Sequence, residues 1–218
     1  MNVAAFFDLD RTLIQFNSAI SFAQWERKHK RISRRQLCEA SFFSMLYHFD
    51  LLDMEKAYSK ATMLFKGRPY DEVLSDTKSF FSSKIASRLQ KGAVRALAHH
   101  RKEGHVNVLL SSTSSFQGEV ACSTWQLDDY LTNKFPEKNG LLDGTFEKPL
   151  CYHEGKVIRA EKWAKEKNVS LEESYFYSDS ITDRPMLERV GYPHVVNPDP
   201  KLKKLATKRG WPIHDWRR

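Results

Sequence analysis

Short apolar runs of strand length alternate with longer amphipathic stretches along most of this chain, and polar residues gather where the apolar runs stop. Residues 3–7, VAAFF, form a continuous apolar run too short for a core helix, which reads as a strand buried on both faces. VNVLL (106–110), SYFYSDS (174–180) and PHVVNPDP (193–200) have the same character. KGAVRALAHHRKEG (91–104), EGKVIRAEKWAKEKN (154–168) and PKLKKLATKRG (200–210) carry apolar residues at helical spacing. A further helix is expected from about 116, after a polar turn SSTSS. Gly104 stands past the end of the first of these helices, where a left-handed cap is wanted. YLTNKF and LLDGTF, on either side of PEKNG, read as a hairpin. Strands alternating with helices predict an α/β fold with a doubly wound parallel sheet.

Between about 15 and 87 the pattern is helical throughout, in ISFAQWERKHK, RRQLCEASFFSMLYHF, MEKAYSKATMLF and YDEVLSDTKSFFSSKIASRL. KGRPYDE (66–72) supplies a Gly and a Pro as a break between helices. Four helices without a strand predict a helical cap domain, 15–87, inserted between the two parts of an α/β core, 1–14 and 88–218. ASFFSMLYHFDLL (40–52) is short and interrupted by His48 and Asp50, so it reads as an amphipathic core helix and not a membrane span.

Composition narrows the class. The 218 residues are 41% hydrophobic, 28% charged and 12% aromatic, an ordinary globular balance with enough apolar matter for a large core. Cys38, Cys122 and Cys151 are odd in number and far apart, without a CxxC pair, so neither a zinc site nor a disulfide framework is expected. Reduced thiols suit a cytoplasmic protein. MNVAAFFDLD reaches acidic residues after seven positions, too soon for a signal-peptide apolar region. The net charge is +8, from 35 Lys and Arg against 27 Asp and Glu. Its densest run, ERKHKRISRR (26–35), reads first as a solvated helix face and second as an attractor of an anionic substrate. It lacks the motif of a nucleic-acid module, so neither nucleic acid nor membrane is expected as a partner. No pattern bears on oligomeric state.

Three apolar runs end in polar clusters: Asp8 with Asp10, Ser111 to Ser115, and Ser178 to Asp183. Open parallel sheets bind ligands outside the carboxyl ends of their strands, so these clusters are expected to meet in one crevice. Asp8, Asp10, Asp179 and Asp183 repel one another there and require a hard cation such as Mg²⁺, which prefers oxygen ligands. Ser111 offers a hydroxyl, the backbone N–H groups of SSTSS (111–115) and of the following helix start can cradle an anion, and Lys156 brings a positive charge near the start of its helix. Together they are the parts for phosphoryl transfer, with an aspartate as nucleophile.

In this order the segments resemble the haloacid dehalogenase superfamily of phosphohydrolases, in its phosphoserine-phosphatase-like branch (subfamily IB). FFDLDRTLI is similar to the first motif, DxDxT; VLLSS to the second, at Ser111; YHEGKVIRAEKW to the third, at Lys156; and YSDSITDRPML to the fourth, with Asp179 and Asp183. The resemblance spans nearly the whole chain. It implies a fold with a helical cap and a Mg²⁺-dependent phosphomonoester hydrolase acting on a small phosphorylated metabolite. Asp8 would attack phosphorus to form an aspartyl-phosphate, and Asp10 would serve as general acid and then base. Mg²⁺ would be held by Asp8, the Asp10 carbonyl and Asp179, with Asp183 ordering the outer shell. Ser111, Ser112 and Lys156 would bind phosphate, and Thr12 would fix the loop. A phosphotransferase of the same fold and a non-catalytic phospho-acceptor or binding protein are the alternatives; a receiver-like acceptor would be shorter and lack the helical insertion.

Some positions depart from the pattern. Arg11 stands where many members of the family have Gly or Ser, Ser178 replaces a common Gly, and SSTS replaces the SGGF type of turn. IQFNSAIS offers Asn17 and Ser18 but no carboxylate for a substrate ammonium, which disfavours phosphoserine. The basic run in the cap suggests a substrate with extra negative charge or a neutral alcohol.

Overall fold

A computed structural model describes residues 1–39 and 54–217 of the chain. The central strand is β1 (Ala4–Phe7), paired in parallel with β2 (Val106–Ser114) on one side and β6 (Tyr175–Ser178) on the other. Its pleat divides the core. Ala5 and Phe7 face the layer of α4 (Lys91–Lys102) and α5 (Ser115–Trp125), packed with Ala93, Leu97, Val120 and Ala121. Ala4 and Phe6 face the layer of α6 (Glu154–Lys167), α7 (Arg184–Arg189) and α8 (Pro200–Arg209), where Phe6 meets Trp163 edge-on at 5.5 Å. All four residues of β1 are fully buried, and each Phe side chain contributes about 2–3 kcal/mol by leaving water. A continuous apolar run was the only pattern that could fill both faces.

The sheet has six parallel strands in the order β3-β2-β1-β6-β7-β8, with β3 at Asp129–Asn133, β7 at Tyr192–Val196 and β8 at Ile213–His214. Four of these were expected. Two-residue β8 is too short for any periodicity to reveal, and β3 overlaps the segment YLTNKF (130–135), expected as a hairpin arm. A hairpin does form, but between β4 (Glu137–Lys138) and β5 (Leu141–Leu142), around Asn139 and Gly140, both at positive φ as its tight turn requires. The SSTSS segment is also corrected: it is not a turn. β2 continues through Ser114 because β3 runs alongside, with a register irregularity between Leu110 and Ser114. Ser114 then caps α5 by accepting from the Gln117 N–H.

Between β1 and α4 the described regular elements are helices: α1 (Ser18–Lys28), α2 (Met54–Met63) and α3 (Tyr70–Lys84), with residues 34–39 also helical. The remainder of RRQLCEASFFSMLYHF, and all of ASFFSMLYHFDLL, lies outside the described residues. The segment leaves and rejoins the core at an antiparallel bridge between Ile14 and Leu89, and the break before α3 bonds the hairpin through a bridge between Pro69 and Leu141. The basic run is not one helix face, because α1 ends at Lys28 and Lys30 turns left-handed (φ 63°). Its Arg31 is paired with Glu26 and Asp76. The three cysteines are free, and no described helix is long and apolar enough to cross a membrane.

On the α4 side, His100 is fully buried, sharing hydrogen bonds with Tyr177 Oη and His105 Nδ1, both at 2.9 Å. Burial, then the neighbouring imidazoles, pushes its pKa down to about 3, and burial beside His214 pushes His194 to about 4. On unfolding these two histidines take up protons between about pH 6.5 and 4, so the stability they contribute at neutral pH is lost as pH falls through that window. Asp10 and Asp179, raised in the folded chain, act in the opposite sense over the same window, so the histidine contribution is read by difference. The slope of the denaturation midpoint between pH 7 and 5 is expected to shift toward greater stability at pH 5 in His100→Gln, whose amide can still reach Tyr177. An identical slope in the variant would remove His100 as a cause.

Candidate active site

The strand order changes direction at β1, whose neighbours are β2 and β6, so the carboxyl ends of these three strands flank the crevice where such sheets bind ligands. Asp8 follows β1 directly, and its N–H donates to the Tyr177 carbonyl of β6 at 3.0 Å. Residues Leu9–Leu13 make a wide turn, closed by bonds from the Leu13 and Ile14 N–H groups to the Asp8 and Leu9 carbonyls. Within it Asp10 is extended and Arg11 left-handed (φ 57°). That kink turns the Asp10 carboxylate back so that Oδ1 accepts the Ser18 N–H at 2.8 Å, at the start of α1. The first carboxylate thus belongs to the strand, and the second is tied to the helical segment.

Gln90, just before α4, holds the turn from behind. It is buried, and its Nε2 donates to the carbonyls of Thr12 (2.6 Å), Arg11 (3.1 Å) and Ile14 (3.4 Å). Asn197 donates to Gln90 Oε1 at 3.0 Å and itself accepts the Trp216 N–H. Thr12 is buried, with its carbonyl in this network and its hydroxyl without a hydrogen-bond partner. Sequence reading missed Gln90 and Asn197, since a lone amide side chain carries no pattern.

Lys156 is fully buried in the first turn of α6. Its Nζ donates to Asp8 Oδ1 (2.9 Å) and Asp183 Oδ2 (2.8 Å), joining the ends of β1 and β6. The helix start sits close because the preceding residue is Gly155, where a Cβ would lie 1.8 Å from the Leu150 carbonyl oxygen. Ser178, in place of a glycine, donates its hydroxyl to the same Asp183 Oδ2 at 2.7 Å. Asp183 Oδ1 is buried without a partner. Ser111 lies beside Asp8, which it helps to hold ionised. The Ser112 hydroxyl is turned away, donating to the Cys151 carbonyl at 2.8 Å, while the Ser112 carbonyl accepts from Asn133 Nδ2 and from Tyr58 Oη of α2. Any contact of Ser112 with phosphate therefore falls to its backbone.

The electrostatics are those of crowded acids. Burial, and then the charge of Asp8, raises Asp10 to about 7. Burial raises Asp8 despite Lys156, and burial followed by repulsion from Asp8 and Asp183 lifts Asp179 well above the usual carboxylate range. Among the described residues nothing donates to the Asp179 carboxylate. Asp8, Asp10, Asp179, Ser111 and Arg11 line one cavity of about 580 Å³ that runs on between α1, α2 and α3. Glu26, two turns into α1, also lines it. It lies beyond IQFNSAIS, the stretch that offers no carboxylate.

The model of the haloacid dehalogenase-like hydrolases matches residues 5–188, and the chain belongs to that family. A Mycobacterium tuberculosis protein named as a probable phosphatase is 31% identical over 217 residues, 96% of this chain and 74% of that relative. A histidinol-phosphatase of Neisseria meningitidis is 27% identical over 98% of both chains. A Bordetella pertussis protein of unknown function superimposes with a TM-score of 0.90 at 27% identity, over 99% of each chain. A substrate-bound phosphoserine phosphatase shares the fold, with a TM-score of 0.72 at 19% identity over 99% of this chain and 94% of that one. The chain is accordingly an enzyme of phosphatase type.

Proposed function

We propose that this phosphatase is a Mg²⁺-dependent phosphomonoester hydrolase of the cytoplasm, acting through an aspartyl-phosphate, with residues 15–87 as a cap over a core of 1–14 and 88–218. The observation that carries the reading is the buried Lys156 bridging Asp8 and Asp183 at 2.9 and 2.8 Å, beside a second carboxylate, Asp10, raised to about 7. An Asp8 oxygen attacks phosphorus, the bond from phosphorus to the alcohol oxygen breaks, and protonated Asp10 gives its proton to the leaving alcohol. Asp10 then takes a proton from the water that attacks the aspartyl-phosphate, which releases Asp8 and inorganic phosphate. Ser111 and Lys156 hold phosphate oxygens, and Asp183 with Ser178 holds Lys156 in place.

The donor set fits Mg²⁺. Asp179 lacks a donor among the described residues, Asp183 has an unpartnered buried oxygen, and burial followed by the charges of Asp8 and Asp183 raises the pKa of Asp179. Among the described residues no three His, Cys, Asp or Glu side chains form a metal cluster. Two carboxylates, Asp8 and Asp179, with the Asp10 carbonyl are nevertheless a sufficient protein share, since Mg²⁺ keeps several waters and takes substrate oxygens. When bound, the ion supplies positive charge to the phosphoryl oxygens.

The decisive assay is phosphate release from a panel of phosphomonoesters that includes phosphoserine and histidinol phosphate, in Mg²⁺ and in EDTA. Because the ion would relieve repulsion only in the folded chain, the melting temperature is expected to rise with Mg²⁺, by a stabilisation of about 2.7 kcal/mol at a hundredfold excess over Kd. Most of that increment should vanish in Asp179→Asn. Full activity in EDTA without a Mg²⁺-dependent shift would refute the metal assignment.

A further inference from the structure

The cavity says more about the alcohol than the catalytic residues do, on the reading that phosphate binds at Asp8. Its volume of about 580 Å³ lies within the range of pockets that enclose drug-sized ligands, roughly 300–1,000 Å³. A phosphate on a three-carbon amino acid would leave most of it empty. Beyond the carboxylates the larger part of the wall is apolar, with Phe22, Phe65, Phe116 and Phe135 beside Ala23 and Ala57. Asn17, Tyr58, Thr77 and Gln117 add uncharged polar groups. At the far end, Glu26 is 3% exposed and accepts from Arg31 at 3.1 Å and Arg68 at 3.2 Å. Both arginines also bind Asp76, at 2.6 and 2.7 Å, and Arg68 binds Glu72 at 3.1 Å. The two cations nearest the end of a long substrate are thus already matched by three carboxylates. This revises the expectation that the basic run recruits extra negative charge.

We infer that the preferred substrate is the monophosphate of an extended, predominantly apolar alcohol that carries no second anionic group. The apolar wall rewards each carbon removed from water, and a fully buried methylene is worth about a fourfold change in binding. A terminal carboxylate would lose its hydration and find only guanidinium groups held by Glu26, Asp76 and Glu72.

The test is a series of n-alkyl monophosphates from ethyl to octyl with Mg²⁺, beside phosphoserine, histidinol phosphate and alkyl phosphates bearing a terminal carboxylate. The leaving alcohols of the alkyl series have nearly equal acidity, so chain length reports on the body and not on the chemical step. The expected kcat/KM rises about two- to fourfold per methylene, mainly through KM, until the cavity is filled. A terminal carboxylate at equal length is expected to cost about tenfold or more. Ala23→Phe should shorten the length at which the rise stops. Glu26→Gln, which frees Arg31 and Arg68 from that carboxylate, should improve the carboxylated esters relative to the alkyl ones. A flat series with clear turnover would overturn the inference and leave the hydrolase reading standing. Better turnover of phosphoserine or histidinol phosphate than of octyl phosphate would also overturn it. If no ester is hydrolysed, the hydrolase reading fails, and the inference is judged by ligand-induced thermal shift of Asp8→Asn: affinity that does not grow with chain length sinks it.

Discussion

Asp8→Asn is expected to reduce turnover by a factor of about 10⁴ or more while the protein remains folded. The amide cannot attack phosphorus, and it offers a metal one neutral oxygen where a carboxylate stood. The fold should survive because Lys156 keeps a second buried partner, Asp183 at 2.8 Å. Asp8 is itself costly to bury, its pKa raised by desolvation in spite of Lys156, so neutralising it removes a desolvation penalty along with an ion pair. The two readouts are phosphate release and a thermal melt on one preparation. Substantial hydrolysis by a folded Asp8→Asn protein would remove Asp8 as the nucleophile.

Lys156→Met should be the most damaging single change to both stability and activity. Met matches the length and apolar character of the lysine stem, so the change leaves little cavity. It also leaves Asp8 and Asp183 buried without their counter-charge, and Asp183 Oδ1 already lacks a partner. Breaking a buried pair in this way costs about 3–5 kcal/mol, a large part of the 5–15 kcal/mol that holds a typical domain folded. Chemical denaturation should show the loss at neutral pH. Adding Asp183→Asn to Lys156→Met should restore part of the stability and none of the activity. A Lys156→Met protein as stable as its parent would show that the two carboxylates find another counter-charge.

The contrast between these residues explains how much of the site was legible. Asp8 and Asp10 could be placed because an apolar run of strand length must be buried, and polar residues directly after it must stand at the strand's carboxyl end. The same logic located Asp179 after β6. Lys156 taken alone was an ordinary helix lysine, and only its order among the other motifs singled it out. Its burial depends on the close approach of the Gly155 backbone to Leu150, a contact between segments that no local pattern reports. Ser111 was placed at a strand end, whereas β2 runs on to Ser114 because β3 lies beside it.

The sequence by itself determined what local periodicity and composition can express: the alternation of strands and helices, the helical stretch after β1, and the identities of the acids at the strand ends. Tertiary structure alone decided which groups share a charge environment. Glu26 and Arg31 read as parts of a solvated basic run, yet packing against Arg68 and Asp76 buries Glu26 in the cavity wall. Gln90 and Asn197 reach the Leu9–Leu13 turn from positions 79 and 186 residues away from Arg11. Side-chain hydrogen bonds and ion pairs act over about 3 Å in space at any separation along the chain, so a reading built on neighbouring residues cannot see them until the fold brings the partners together.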